Sequence, residues 1–402
     1  MARHLTSRQH GARGDLALYI HWPFCVSKCP YCDFNSHVRD HVDQADWRRA
    51  LLADLAYEAR QLPGRRLTSI FFGGGTPSLM DPGTAEALIA AAREHWDVSD
   101  DLEVTLEANP SSVEAARFAD LAAAGVNRVS LGLQSLDDAA LRFLGRAHGV
   151  AEGLAALEVA QRHFARVSFD LIYALPGQSV DAWERMLGQA LGYGTGHLSL
   201  YQLTIEPGTR FAALHAAGKF EPLDSDSAAD LFERTAALTE AAGLPAYEIS
   251  NHARRGQESR HNLTYWRYGD YAGVGPGAHG RRMGLRTVRH RKPENFLAGL
   301  ARNGHGMVEE DALSPIEAAD EALVMGLRLT EGIDPTTIAE RFGLVRLLDD
   351  RAVERLVASG HLRRDGTRLR TTAAGRLLLD TILGLVADPQ LPEFSRSEKL
   401  VT

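Results

Sequence analysis

Tyr19-Ile-His-Trp-Pro-Phe-Cys25-Val-Ser-Lys-Cys29-Pro-Tyr-Cys32-Asp-Phe34 decides how this chain is read, because it holds all three cysteines of a 402-residue sequence. Thiolates are soft ligands that select iron–sulfur clusters, zinc or copper(I). Three is an unusual number for a closed site. Structural zinc takes four ligands and most iron–sulfur clusters also take four. Three thiolates on a cluster of four irons leave one iron open to a small molecule. The other reading of the same loop is a zinc site completed by His21 or His37. Three cysteines cannot all pair as disulfides, and cysteines this close bridge only with strain.

The sequence before and after the loop alternates short apolar runs with Ala-rich helical stretches. Strands are expected at Leu16–His21, Ser69–Phe72, Glu103–Leu106, Arg128–Leu133, Val167–Leu171 and His197–Leu203. Helices are expected at Trp47–Leu62, Thr84–His95, Val113–Ala124, Ala139–Leu144, Val150–His163 and Val180–Leu191. Strand–helix alternation means βαβ units and a parallel sheet. Six units fall short of the eight of a full barrel, so the fold class expected is α/β, a partial (β/α)6 TIM-like barrel. In such barrels the C-terminal strand ends carry the site. Glu107, Gln134, Asp170, Tyr201 and Gln202 lie at or near those ends and should converge on the mouth where the cysteine loop opens.

Four segments are expected. Residues 1–14 form a flexible tail, 15–205 the barrel, 206–310 a linker and accessory region, and 311–402 a C-terminal α+β module. In that last segment, helices at Pro315–Leu329, Pro335–Phe342 and Leu347–Ser359 precede a hairpin around Asp365-Gly366 and a final helix from Thr372 to Leu385. This order resembles a winged helix. Hydrophobic content of 45% and charged content of 24% suit a globular protein. No apolar run is long enough for a transmembrane helix, and the polar N-terminus does not read as a secretory signal. Cysteine use confined to one loop fits a reducing cytoplasm. A net charge of −8 argues against a wholesale nucleic-acid footprint. The arginines on the C-terminal hairpin, Arg363, Arg364, Arg368 and Arg370, leave a nucleic-acid-binding regulator as the weakest reading.

Gly73-Gly74-Gly75-Thr76-Pro77-Ser78 follows the second strand. Glycines let backbone approach a ligand, and the missing Lys sets this run apart from a phosphate-binding P-loop. Beside C-x3-C-x2-C with Tyr31 before the last cysteine, it resembles the radical S-adenosylmethionine (SAM) superfamily. Tyr19-Ile-His21, Gly-Gly-Gly-Thr-Pro-Ser, Leu106-Glu107-Ala-Asn-Pro, Leu133-Gln134-Ser, Leu144-Gly-Arg146 and Phe169-Asp170-Leu-Ile-Tyr-Ala-Leu-Pro-Gly-Gln narrow the resemblance to the oxygen-independent coproporphyrinogen III oxidase family. The resemblance implies a [4Fe–4S] cluster on Cys25, Cys29 and Cys32. It also implies SAM contacts from Tyr19, Tyr31, Gly74, Gly75, Thr76, Glu107, Gln134, Arg146 and Asp170. Polar groups at strand ends also serve loops, which is the plain reading of Gln134 and Arg146.

The oxidase pattern carries a further cysteine two residues after the third; here that position is Phe34. A second string, Arg260-His261-Asn262-Leu-Thr-Tyr265-Trp266, resembles the haem chaperone branch of the family. That branch implies haem as ligand, with His261 as axial ligand and Asn262, Tyr265 and Trp266 beside it. His252 and His279 are rival ligands, and a loop-holding role is the bland reading of His261. Arg281, Arg282, Arg286, Arg289, Arg291 and Lys292 could meet haem propionates or an anionic membrane surface, or form a solvated face. The expected function is a haem chaperone delivering haem to acceptor apoproteins such as respiratory enzymes. Coproporphyrinogen oxidation, or another radical SAM reaction on a tetrapyrrole, is the enzymatic alternative, and Phe34 counts against the oxidase.

Overall fold

The computed structural model describes residues 14–387, so most of the expected N-terminal tail lies outside the described residues. In chain order the strands are β1 (Asp15–Trp22), β2 (Phe24–Cys25), β3 (His37–Val38), β4 (Arg66–Gly74), β5 (Asp97–Ala108), β6 (Arg128–Gln134), β7 (Arg166–Tyr173) and β8 (His197–Gln202). Then follow β9 (Asn251–Ala253), β10 (Asp270–Val274), β11 (His279–Arg282), β12 (Leu285–Arg289), β13 (Met307–Ala312), β14 (Leu362–Asp365) and β15 (Arg368–Thr371). All six strands expected from periodicity are present. β1, β4, β5, β6, β7 and β8 run parallel in that spatial order, each joined to the next through helices. The expected helix Val113–Ala124 is broken into Ser112–Ala115 and Phe118–Ala123. Glu114 holds the first turn against the site by accepting from Ser78 Oγ and from the Asn109 N–H.

Alternate strand residues face opposite ways. Leu16, Leu18, Ile20, Trp22, Ile70, Phe72, Val104, Leu106, Val129, Leu131, Phe169, Leu171, Leu198 and Leu200 point outward into one core beneath the helices. The inward set is polar: Ser69, Glu103, Thr105, Arg128, Ser130, Ser168, Asp170 and His197 bond to one another or to groups inside the barrel.

The segment read as linker and accessory region does more than link. β10 adds a further parallel strand beside β1, and β11, β12 and β13 continue the sheet antiparallel from it. β9 pairs antiparallel with β8 at the opposite edge, giving an 11-stranded sheet. Half of the basic patch expected on this segment is buried. Arg289 and Arg282 are buried and pair with carboxylates of the helix Gln44–Gln61: Arg289 with Asp54 at 3.0 Å and Glu58 at 2.6 Å, Arg282 with Glu58 at 2.9 Å. Arg281 is buried over the Tyr268 ring, 3.6 Å from its centroid. These three are therefore not available to propionates or to a membrane. Arg286, Arg291 and Lys292 lie at the surface, Arg286 within 3.7 Å of Asp311.

The C-terminal segment has its own core of Leu323, Leu327, Ile333, Val353, Leu369 and Ile382. Its elements follow the expected order, starting with a helix Pro315–Arg328 capped by Ser314 and Glu317 in a reciprocal box. Two of its hairpin arginines are engaged: Arg368 donates to the carbonyls of Glu331 and Gly332, and Arg370 pairs with Asp365 at 3.0 Å.

Removing one partner of a buried ion network leaves uncompensated charge. Arg289→Ala strands Asp54 and Glu58 and is expected to destabilise the protein by about 3–5 kcal/mol. Urea denaturation checks this; an unchanged midpoint would show that the network does not hold β12 to the barrel.

Candidate functional site

β1 ends at Trp22 and the chain turns at Pro23 into the cysteine loop. The short parallel pair β2–β3 closes the loop at its base, with Phe24 opposite His37 and Cys25 opposite Val38. The three cysteines are free thiols, each partly exposed. Thr76 Oγ1 donates to Cys25 Sγ at 3.4 Å, and Arg146 Nη1 donates to Cys29 Sγ at 3.3 Å. Burial pushes the Cys25 thiol up and the Cys32 thiol up to about 11. Metal binding at this loop therefore releases protons. The zinc reading lacks its fourth ligand. Both ring nitrogens of His21 are engaged, with Tyr19 Oη and the Asn35 carbonyl, and His37 Nε2 bonds the Arg291 carbonyl. Among the described residues no three His, Cys, Asp or Glu side chains gather tightly enough for a single ion.

The Gly73–Gly75 run ends β4 directly against this loop. Gly74 has φ +110°, and a Cβ there would lie 2.5 Å from the His21 imidazole. A Cβ on Gly75 would lie 2.8 Å from the Pro23–Phe24 backbone, so glycine is a steric requirement at both positions. Gly74 N–H donates to Glu107 Oε2 at 3.3 Å. Burial, reinforced by the charge of Asp170, pushes Glu107 up to about 8; burial alone pushes Asp170 up to about 6 against the bond it accepts from Ser130. Two such carboxyls at one mouth are primed for cationic or hydroxyl-bearing ligands.

Arg146 organises the other side of the mouth. Beyond Cys29 it reaches Tyr31 Oη at 3.5 Å, Asn109 Oδ1 at 2.5 Å and the Gly132 carbonyl at 2.9 Å. Asn109 in turn donates to Thr76 Oγ1 at 3.2 Å, so a chain of bonds runs from Cys25 Sγ to Cys29 Sγ. Asn109 lies in the motif quoted above but was not singled out; its place two residues after Glu107 is the signal that could have found it. Gln134 has φ +67°, a left-handed conformation that a non-glycine residue adopts at a cost, and its amide faces Arg146 across Gly132. The structure thus brings Tyr19, Tyr31, Gly74, Gly75, Thr76, Glu107, Gln134, Arg146 and Asp170 to the cysteine side of the barrel. Tyr19, Glu107, Asp170, Tyr265 and Tyr271 are each half-buried on the inner side of the barrel.

The His261 string sits elsewhere. The helix Arg260–Trp266 packs near the opposite strand ends, where Glu103 accepts from the Arg260 and His261 N–H groups. The His261 ring stacks on Phe71 with centroids 4.9 Å apart, and Nδ1 lies 3.3 Å from Ser69 Oγ. Burial lowers its pKa to about 4, so the ring is neutral. Tyr265 stands beside His261 and Tyr271, with ring centroids 6.0 and 6.4 Å away. Trp266 instead carries the Arg328 guanidinium 4.5 Å from its ring centroid, against the C-terminal segment. The expected wall of Tyr265 and Trp266 is therefore split between two environments. Asn262 is partly exposed, and its N–H is taken by the Ser259 cap. His252 is buried beside Arg376, and His279 begins β11.

A Radical SAM superfamily model matches residues 19–190, and a HemN C-terminal domain model matches residues 313–378. The solved structure of coproporphyrinogen III oxidase (HemN) from Escherichia coli, at 23% identity, covers 92% of this chain and 89% of its own with a TM-score of 0.77, which establishes a shared fold. The chain is a radical SAM protein. It is 38% identical over 383 residues to the heme chaperone HemW of Escherichia coli, spanning 92% of this chain and 97% of that protein. It is 40% identical over 395 residues to the mouse mitochondrial radical S-adenosyl methionine domain-containing protein 1, spanning 94% and 88%. The chain therefore belongs to the HemW family of the radical SAM superfamily.

Membership of this superfamily implies a [4Fe–4S] cluster and SAM, and the donor set fits both. Three unpaired thiols, two of them receiving hydrogen bonds, sit beside a glycine edge and two carboxyls. No helix among the described residues is long and apolar enough to cross a membrane.

Glu107 makes this site sensitive to pH. Its folded pKa of about 8 lies well above the ordinary carboxyl value of 4.5. Between those values the folded chain holds a proton the unfolded chain has lost, so this contribution to stability is lost as pH rises. Glu107→Gln should melt higher than the parent by a margin that grows from pH 5 to pH 8. A melting difference that does not change with pH would rule out the buried carboxyl as its source.

Proposed function

We propose that this protein binds haem and delivers it to acceptor apoproteins, respiratory enzymes among them, while keeping a [4Fe–4S] cluster and SAM at the barrel mouth. The observation that carries the reading is likeness over nearly the whole chain to HemW proteins, joined to Phe34 two residues beyond the last cysteine. Phe34 is 43% exposed and offers no sulfur at the place where the oxidase pattern has its further cysteine. The cytoplasm, or another reducing aqueous compartment, is part of this proposal, since a cluster on three partly exposed cysteines needs one.

Cys25, Cys29 and Cys32 would hold the cluster, with Thr76 and Arg146 donating to two of the sulfurs. Tyr19, Gly74, Gly75 and Glu107 would take the amino end of SAM, Arg146 its carboxylate, and Asp170 its ribose hydroxyls, with Tyr31, Thr76 and Gln134 around them. When bound and reduced, the cluster would supply one-electron chemistry toward SAM. For haem, His261 would offer an imidazole ligand to the iron. With Nδ1–H donated to Ser69 Oγ, Nε2 keeps its lone pair for iron, the arrangement that orients metal-binding imidazoles. Tyr265 would stand beside it, whereas Trp266 lies under Arg328 of the C-terminal segment.

Titration should show about one haem per chain at micromolar affinity or better. His261→Ala should alter the haem spectrum, and Ser69→Ala should weaken binding. Haem bound no better than by an unrelated protein would sink the chaperone reading. The anaerobically reconstituted protein with SAM and reductant should leave coproporphyrinogen unchanged by chromatography; protoporphyrinogen formation would favour the enzymatic alternative.

A further inference from the structure

The cysteine loop meets the segment that carries β10–β12 at Asn35. The Asn35 amide uses both of its protons on carbonyls distant in sequence: Nδ2 donates to Pro276 at 2.9 Å and to Arg291 at 3.0 Å. The receiving turn is shaped for it. Gly277 has φ +81°, and a Cβ there would lie 2.2 Å from Asn35 Nδ2. His37 Nε2 to the Arg291 carbonyl at 3.2 Å and Arg39 to Glu294 at 2.6 Å extend the same seam.

The main-chain carbonyl of Asn35 turns toward the site and bonds His21 Nε2 at 2.9 Å. A carbonyl only accepts, so Nε2 carries the proton, and Nδ1 accepts from the Tyr19 hydroxyl at 2.9 Å. The imidazole so fixed occupies the space a side chain at position 74 would need. One residue thus bridges the accessory strands, the cysteine loop, and the support beneath the glycine edge. Val26, within the loop, is 72% exposed.

We propose that Asn35 is a positioning residue that fixes the cluster-bearing loop on the 276–291 turn and, through His21, sets the glycine edge that receives SAM. The inference rests on the cluster reading of the three cysteines and is independent of haem. Outer partners that orient metal ligands are worth roughly 10–100-fold in affinity or activity.

The test uses the full chain, metal-free and after anaerobic iron–sulfur reconstitution. Failure of the parent protein to take up iron would count against the cluster reading itself. Asn35→Ala should melt near the parent in the metal-free state and take up about four irons. The SAM needed to half-shift the electron paramagnetic resonance spectrum of its reduced cluster should rise roughly tenfold or more, with faster bleaching in air. Asn35→Asp keeps the shape but loses both donors, so it should show the same shift and carries the test if the alanine variant does not fold. An unchanged SAM response overturns the proposal. So does lower metal-free stability with a normal SAM response, because Asn35 would then only support the fold.

Discussion

Two carboxylates on one helix, Asp54 and Glu58, are fully buried, and the arrangement of the sheet depends on how they are satisfied. A charge buried without partners is very costly, so these groups recruit everything within reach. Asp54 accepts from Arg289 and from the backbone N–H groups of Gly275 and Gly306; Glu58 takes Arg289 and Arg282. Those donors come from β11, β12 and the turns beside them. The network therefore fastens the first helix of the barrel to strands that arrive some two hundred residues later. With β10 paired to β1, the turn at 275–277 is delivered to the root of the cysteine loop. The position of the soft-ligand site is thus set partly by hard charges on the far side of the sheet.

The parts that were legible in the sequence share one property: their pattern is local. Six strands and their helices follow from apolar periodicity, and the cysteine spacing, the glycine run and the hairpin near Gly366 are each written within a few residues. The parts that were not legible are non-local pairings. β10 is a short Gly-containing run, Asp270-Tyr-Ala-Gly-Val, whose strand character comes from lying beside β1. Arg281, Arg282 and Arg289 look like a surface patch in sequence because the carboxylates that neutralise two of them are far away in the chain. Asn109 and Asn35 have no charge or spacing to advertise them; their importance lies in what their amides reach.

The inward faces of the barrel strands explain why the candidate site residues converge. An ordinary small barrel fills its interior with branched apolar side chains. Here the outward faces make the core, and the inward faces carry Tyr19, Ser69, Glu103, Glu107, Arg128, Asp170 and His197. Such an interior is stable only if its polar groups are paired or wetted. Glu103 meets the first condition through Arg166 at 2.5 Å and two backbone N–H groups. Glu107 and Asp170 meet it less completely, and their raised pKa values record the deficit. Tyr201, at the end of β8, retains 41% exposure although it stands among these groups, as expected at the wall of an open interior.

Both ends of that interior bear on one side chain. The Tyr19 hydroxyl bonds His21, which supports Gly74, while its ring lies 6.1 Å from that of His261. His261 in turn is fixed by Ser69 and by Glu103, and the same short helix ends in Trp266 under Arg328 of the C-terminal segment. A displacement of that helix therefore cannot be confined to the C-terminal segment. Packed interiors shift between discrete arrangements rather than deforming smoothly. Moving His261 off Phe71 removes a neighbour of Tyr19, and moving Tyr19 removes the donor that orients His21. The string Arg260–Trp266 and the cysteine loop, remote in sequence and on different ends of the strands, are joined by one phenol ring.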